Sequence, residues 1–233
     1  MSSQLTLQSS YSEKLDKEAI NHLPVARWDG PIELIRDDAD LPAAIERLSQ
    51  ERVLGFDTET RPSFRKGTAY DPTLMQLGGE KVVYLFQLGM LEQKALLTEL
   101  LTREDLLKVG VGLGQDVRQL QPLFKFEPGG FVDVSETARH NQIANRGLRS
   151  LAAAFYGIRI SKRAQCSNWA VDTLQSYQVT YAATDAWISR ELFIAMEEMA
   201  LVDLQRDRVD LTPPKPKTRR YAHHRRAKKV SNA

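Results

Sequence analysis

The stretch VLGFDTET, residues 53–60, constrains this chain more than any other: an apolar run leads directly into two carboxylates, Asp57 and Glu59, two positions apart. In a β-strand, side chains i and i+2 project to the same side of the sheet, so the two acids point together while Thr58 faces away. VLGF is too apolar for a solvated edge, which makes this a core strand surfacing where its acids begin. Two anions held side by side repel; uncompensated, one takes up a proton, and a divalent cation between them is the simplest remedy. The pair also admits a plainer arrangement, with Asp57 capping the following turn and Glu59 pairing with Arg61.

Around this strand the pattern is α/β, a central mixed β-sheet flanked by helices. IELIR predicts a short strand, and Asp40 with Pro42 in the first turn opens a helix. TLMQLGG and KVVYLFQL read as a hairpin across Gly-Gly-Glu. LEQKALLTELL is helical in spacing, LLKVGVG a short strand and QDVRQLQPLF a helix. Beyond GGFVDVSE the pattern is helical to about Arg206, through TARHNQIAN, LRSLAAAFYG and a long helix over 173–205. No repeat of solenoid period is present.

With 233 residues, 42% apolar and 27% charged, the chain can bury a sizeable core. One domain is expected over residues 31–206, after a loose N-terminal extension over 1–30 and before a basic tail over 207–233. No apolar run approaches the roughly 18–20 residues needed to span a bilayer, and residues 1–20 hold no signal-peptide core, so neither secretion nor a membrane anchor is expected. The single cysteine, Cys166, forms no internal disulfide or multi-thiolate site. This fits a reducing intracellular compartment, cytoplasmic in a bacterium, with a nuclear location open in a eukaryote. Any metal site must use oxygen or imidazole, and His22, His140, His223 and His224 show no ligand-like spacing.

The net charge of +2 hides an asymmetry: with eight of the 32 basic residues from Leu211 onward, residues 1–210 carry 24 against 30 acidic, a net of −6. PPKPKTRRYAHHRRAKK is rich in proline and charge and lacks apolar periodicity, so it is expected to be disordered in isolation. It serves as a phosphate-binding arm, as a targeting patch, or as a solvated terminus.

Two further acids stand in comparable settings. LKVGVGLGQD is an apolar strand followed by a Gly-rich turn that places Asp116 at the start of a helix, where the helix dipole alone would favour it. Gly110, Gly112 and Gly114 do not match the G-x-G-x-x-G spacing of a dinucleotide loop. YAATDAW puts Tyr181 and Asp185 four apart on one helical face, among small residues Ala182, Ala183 and Ala186 that leave room for close approach. A core-facing tyrosine on an amphipathic helix would give the same spacing.

Taken in order, the D-x-E on a core strand, an Asp about sixty residues on and a Y-x-x-x-D on a late helix resemble the DEDD superfamily of 3′ to 5′ exonucleases in its tyrosine-bearing branch. GFDTETRPSFRKG, LMQLGG, KVGVGLGQDVRQL, GLRSLAAAFYGIRISKRAQCSNW and QVTYAATDAWISREL resemble successive blocks of the domain shared by Werner-type exonucleases and ribonuclease D. The similarity covers roughly residues 31–200. Too little chain follows it for the helical repeats that ribonuclease D carries, so a stand-alone nuclease domain is expected.

The resemblance implies an RNase H-like (DnaQ-like) fold and two divalent cations, Mg²⁺ or Mn²⁺. Such ions about 4 Å apart activate a water and stabilise the leaving oxygen, and they take hard oxygen ligands. By that resemblance Asp57 bridges both ions, Glu59 and Asp185 complete the site of the water-activating ion, and Asp116 holds the other through water. Tyr181 orients the attacking water with Glu59 as acceptor, and the substrate is nucleic acid with a free 3′ end, single-stranded or recessed, shortened to nucleoside 5′-monophosphates. Phe64 could stack on a terminal base, and Arg65 or Lys66 could take phosphate, although core packing and a solvated loop are open for these. Lys162 is expected to reach the site and Trp169 to pack in the core. The alternative is a non-catalytic nucleic-acid-binding adaptor using the basic tail. Clustered acids argue against it, since each adds repulsion toward phosphate unless metal is present.

Overall fold

The structure, a computed structural model, describes residues 5–8, 11–63 and 70–212. Its centre is β2 (Val53–Thr60), which pairs antiparallel with β3 (Pro72–Gly78) on one side and parallel with β5 (Leu107–Gly110) on the other. Beyond β3 lie β4 (Val83–Gln87) and then β1 (Ile32–Ile35); beyond β5 lies β6 (Phe131–Asp133). The mixed six-stranded order is β1-β4-β3-β2-β5-β6.

Alternation along β2 divides the molecule into two cores. Leu54 and Phe56 face α2 (Leu41–Leu48), α3 (Ala95–Thr102) and α4 (Gly114–Phe124), and Phe56 meets Phe131 edge-on with ring centroids 5.2 Å apart. Val53 faces the opposite core, built with α5 (Val134–His140), α6 (Leu148–Tyr156) and α7 (Ser176–Glu198). Gly55, Asp57 and Glu59 continue along that second face. With both faces covered, the strand reads as an unbroken apolar run until its acids begin.

Four parts differ from the sequence expectation. The residues of β6 read in sequence only as the lead into a helical region; at three residues the strand is too short to show periodicity. The last helix stops at Glu198 rather than continuing to 205, and Ala200 turns the chain with φ 56°. Asp203 then accepts from the amides of Gln205 and Arg206 at 3.0 and 3.1 Å, local bonds that compete with helix continuation. Residues 207–209 return onto β6, where Asp133 N donates to Asp207 O at 3.0 Å and Val209 N to Phe131 O at 3.2 Å. The first part of the expected tail is therefore packed; residues 213–233 lie outside the described set.

The N-terminal thirty residues are also not loose where they are described. They include α1 (Lys17–His22), whose N-cap Asp16 accepts from Ala19 N at 2.7 Å. Tyr11 packs on Phe155 with centroids 4.9 Å apart, and Trp28 is buried against Trp187 with its amide bonded to Thr184 Oγ1 at 3.1 Å. Most of these partners lie more than a hundred residues away along the chain. No local pattern announces them.

Candidate active site

The site begins with a close approach of backbone to backbone. Gly55 of β2 and Gly78 of β3 are register partners, and Ala186 of α7 lies over both. A Cβ on Gly55 would overlap the Ala186 carbonyl, and one on Gly78 would stand 3.1 Å from its carbon. Two glycines side by side thus form the seat on which α7 rests. The seated helix carries Asp185 to the end of β2, where carboxylate oxygens of Asp57, Glu59 and Asp185 all lie within 4.8 Å of one another.

Asp116 comes from the other face of β2 and stands outside that trio. Thr58 Oγ1 donates to Asp116 Oδ1 at 2.5 Å, while Thr58 N donates to Asp57 Oδ1 at 2.9 Å, so one threonine ties the two acids. The turn before Asp116 is fixed by Asp133 at the end of β6. Its carboxylate accepts from Gly112 N at 3.0 Å and Leu113 N at 3.1 Å while capping α5 through Ser135 N at 2.9 Å. Gly112 sits at φ +77°, a left-handed conformation that glycine adopts at no steric cost. The glycines that fit no dinucleotide loop therefore serve this turn.

Electrostatics confirm the crowding. Burial, then Asp185 and Asp116, holds Asp57 well above the usual carboxylate range. Burial, followed by Asp57, Asp185 and Asp116, pushes Glu59 up to about 10. Asp185 is raised by burial to about 7, with the Tyr181 hydroxyl and the Lys162 charge offsetting part of the rise. Asp116 is raised by burial against the opposing Thr58 bond. Tyr181 is itself pushed upward by burial and then by Asp185 and Glu59, so its hydroxyl stays a donor. Crowding raises the affinity of these carboxyls for protons, and a bound cation would relieve the same repulsion.

The donor set fits hard divalent ions. Asp185 Oδ1 is buried with no hydrogen-bond partner, an acceptor position open to a ligand. Asp57, Glu59, Tyr181, Asp185 and Lys162 line one cavity of about 780 Å³. Trp169 is fully buried with its ring 6.0 Å from that of Tyr181, in the packing position expected for it. Phe64 and Arg65, the other expected substrate contacts, lie outside the described residues, as does Lys66.

Sequence reasoning misses Thr58, Asp133 and the Gly55–Gly78 seat. Thr58 is one residue of the D-x-E itself and faces away from it, so only the partner helix reveals its use. For Asp133 the available signal is an acid opening a helix just after a short apolar run.

A family model described as 3′-5′ exonuclease matches residues 32–200. Among curated relatives, the human exonuclease 3′-5′ domain-containing protein 2 is 31% identical over 200 residues, covering 80% of this chain and 30% of its own length. The Aedes aegypti exonuclease mut-7 homolog is 26% identical, covering 78% of this chain and 30% of its own. Ribonuclease D of Gluconacetobacter diazotrophicus is 30% identical over 164 residues, covering 69% of this chain and 41% of its own. The chain thus spans about 30% of the length of the first two. Among solved structures, the Aedes aegypti Nibbler EXO domain superposes with TM-score 0.69 at 24% identity, covering 78% of this chain and 96% of that one. Escherichia coli RNase D gives 0.63 at 21%, covering 73% and 44%. The sheet order, the flanking helices and these superpositions give the RNase H-like fold, and the match over residues 32–200 makes this chain a member of the 3′-5′ exonuclease family.

Proposed function

We propose that the chain is a metal-dependent 3′ to 5′ exonuclease that hydrolyses phosphodiester bonds from the 3′ end of nucleic acid by a two-metal-ion mechanism and releases nucleoside 5′-monophosphates. One observation carries this reading: three carboxylates from two distant segments meet within 4.8 Å in a cavity, with a buried oxygen of Asp185 unpartnered. Such a cluster costs stability unless cations fill it. Asp57, Glu59 and Asp185 would hold Mg²⁺ or Mn²⁺, with Asp116 serving the second ion. When bound, the pair supplies a nucleophile at neutral pH and charge stabilisation at the scissile phosphate.

The chain's own groups do the rest. Tyr181 keeps its proton and donates a hydrogen bond that orients the attacking water, while Glu59 accepts one from the same water. Lys162 lines the cavity close enough to Asp185 to act on its titration, and it can meet a substrate phosphate there. Phe64 and Arg65 follow β2 in sequence and keep their proposed roles toward the terminal base and phosphate. The Trypanosoma brucei RNase D solved with RNA U12 shares the fold at TM-score 0.64, which supports a nucleic-acid strand as the substrate class.

The test is a panel of 5′-labelled DNA and RNA oligonucleotides, single-stranded and recessed, with Mg²⁺, Mn²⁺ or chelator. The expected result is a ladder of 3′-shortened products that appears only with metal. Shortening in excess chelator at the same rate would remove the metal from the reaction. A protein that binds the strands without shortening any would make the domain an adaptor.

A further inference from the structure

The cavity that holds the acids is larger than ions require. At about 30 Å³ of liquid volume per water, bound cations and their waters fill a small part of 780 Å³. Part of the remainder is walled by a segment outside the 32–200 match: Lys14 and Lys17 on it line the cavity, as do Arg146 just before α6 and Arg149 in its first turn. Together with Lys162, these are five basic side chains around one cavity with an acidic floor. None of them forms an ion pair among the described residues. Asp16, the acid on the same wall, is engaged in capping α1.

Exposed lysines are ordinarily just solvated, so the question is what holds these two in place. Asn145, almost fully buried, bonds the backbone on both sides of Lys14: its Oδ1 accepts from Leu15 N at 3.2 Å and its Nδ2 donates to Glu13 O at 2.5 Å. Ala144 N donates to Ser12 O at 3.3 Å, and Arg149 Nη2 donates to Asn21 Oδ1 at 2.6 Å. Ile20 anchors α1 in the core. The segment is therefore clamped at residues 12, 13, 15, 20 and 21, and its two lysines are presented between clamps.

We infer that residues 11–22 form a fixed wall of the substrate channel, with Lys14 and Lys17 gripping backbone phosphates of the nucleotides on the 5′ side of the scissile bond. This rests on the nuclease reading and assigns the N-terminal segment a part in it. A lysine on a fixed backbone gives up less entropy on meeting phosphate than one on a mobile terminus, so the wall contributes affinity that such a terminus would not. The interaction is with phosphate, and hence independent of base sequence.

The test compares two substrates on the full chain with Mn²⁺: a single-stranded 12-mer, and the p-nitrophenyl ester of thymidine 5′-monophosphate, which has no upstream phosphate. For the double substitution Lys14→Gln/Lys17→Gln, kcat/KM on the 12-mer should fall about tenfold through KM, and ester hydrolysis should stay within twofold. The dependence of log(kcat/KM) on log salt should flatten by about 1.4, from about 0.7 for each single-strand phosphate that the variant no longer neutralises. Asn145→Ala should move the 12-mer in the same direction, with folding checked by thermal midpoint. Equal 12-mer kinetics and salt dependence in wild type and the double variant overturn the wall while leaving the nuclease intact. A wild type that cleaves neither substrate overturns the nuclease reading, and the wall with it.

Discussion

Two aspartates late in the chain are both nearly inaccessible to water, at 4% exposure for Asp185 and 0% for Asp207, and they end in opposite states. Burial would raise either. At Asp207 it is outweighed: Arg206 Nε donates to Oδ1 at 2.8 Å, Asp203 N to Oδ2 at 3.0 Å, and His140 Nδ1 lies 2.8 Å from Oδ1. These bonds hold the carboxyl down at about 2. At Asp185 the Tyr181 hydroxyl and Lys162 offset burial only in part, one oxygen has no partner, and the carboxyl stands at about 7 beside two more acids. The protein has satisfied one buried acid and left an oxygen of the other without a partner. The first pins chain to β6; the second lies in the proposed site.

Exchanging each acid for its amide separates the two roles. Asp185→Asn, and likewise Asp57→Ala, should lower kcat by about 10³-fold or more, roughly 4 kcal/mol of transition-state stabilisation, while the metal-free folding midpoint holds or rises. Full activity in either variant on a labelled oligonucleotide would dissolve the proposed site. Tyr181→Phe removes a single donor and should cost about 10²-fold in kcat, with metal affinity by calorimetry unchanged. A loss that instead appears in metal binding would make Tyr181 a support for Asp185 alone.

Asp207→Asn should show the reverse pattern. Removing one partner of a fully buried ion pair costs about 3–5 kcal/mol, and because Arg206 remains partly in water about 2 kcal/mol is expected. At roughly 2–4 °C per kcal/mol the melting midpoint should drop by about 4–8 °C, with kcat within about threefold of wild type. An unchanged midpoint would show that the return of the chain onto β6 needs no such pin.

The same contrast explains what can be read from the residues alone. Asp57, Glu59 and the Tyr181–Asp185 pair are legible because strand and helix periodicity fix which side chains share a face within one element. The apolar character of β2 announces a strand covered on both sides. What brings the elements together is not legible: the Gly55–Gly78 seat, the Thr58 tie to Asp116 and the Asp133 anchor each join residues from separate segments. Asp207 has the same difficulty, since nothing about RDRVD reveals that its first aspartate will be the buried one. The N-terminal segment lacks any strong local pattern, and its order comes from Asn145 and Phe155 far along the chain.

The smallest effect sharpens the comparison through pH. Asp57, Glu59 and Asp185 have folded-state values raised above the ordinary carboxylate range, so their contribution to stability is intact below about pH 4 and is lost as pH rises through the folded values, about 7 for Asp185 and about 10 for Glu59. Asp207 is lowered, so its contribution is present above the ordinary range and is lost only as pH falls through about 2. Between pH 5.5 and 8 the cluster's contribution declines, whereas Lys108, which burial lowers to about 7, adds stability above that value, so the cluster's part is read as the difference in the pH slope of the metal-free midpoint between wild type and Asp185→Asn. Mn²⁺ competes with the same protons, so it should raise the midpoint more at pH 8 than at pH 5.5. Asp185→Asn should flatten this slope. Equal pH slopes in wild type and Asp185→Asn over that interval would mean that Asp185 takes no part in the crowding, and it would then be a satisfied acid like Asp207.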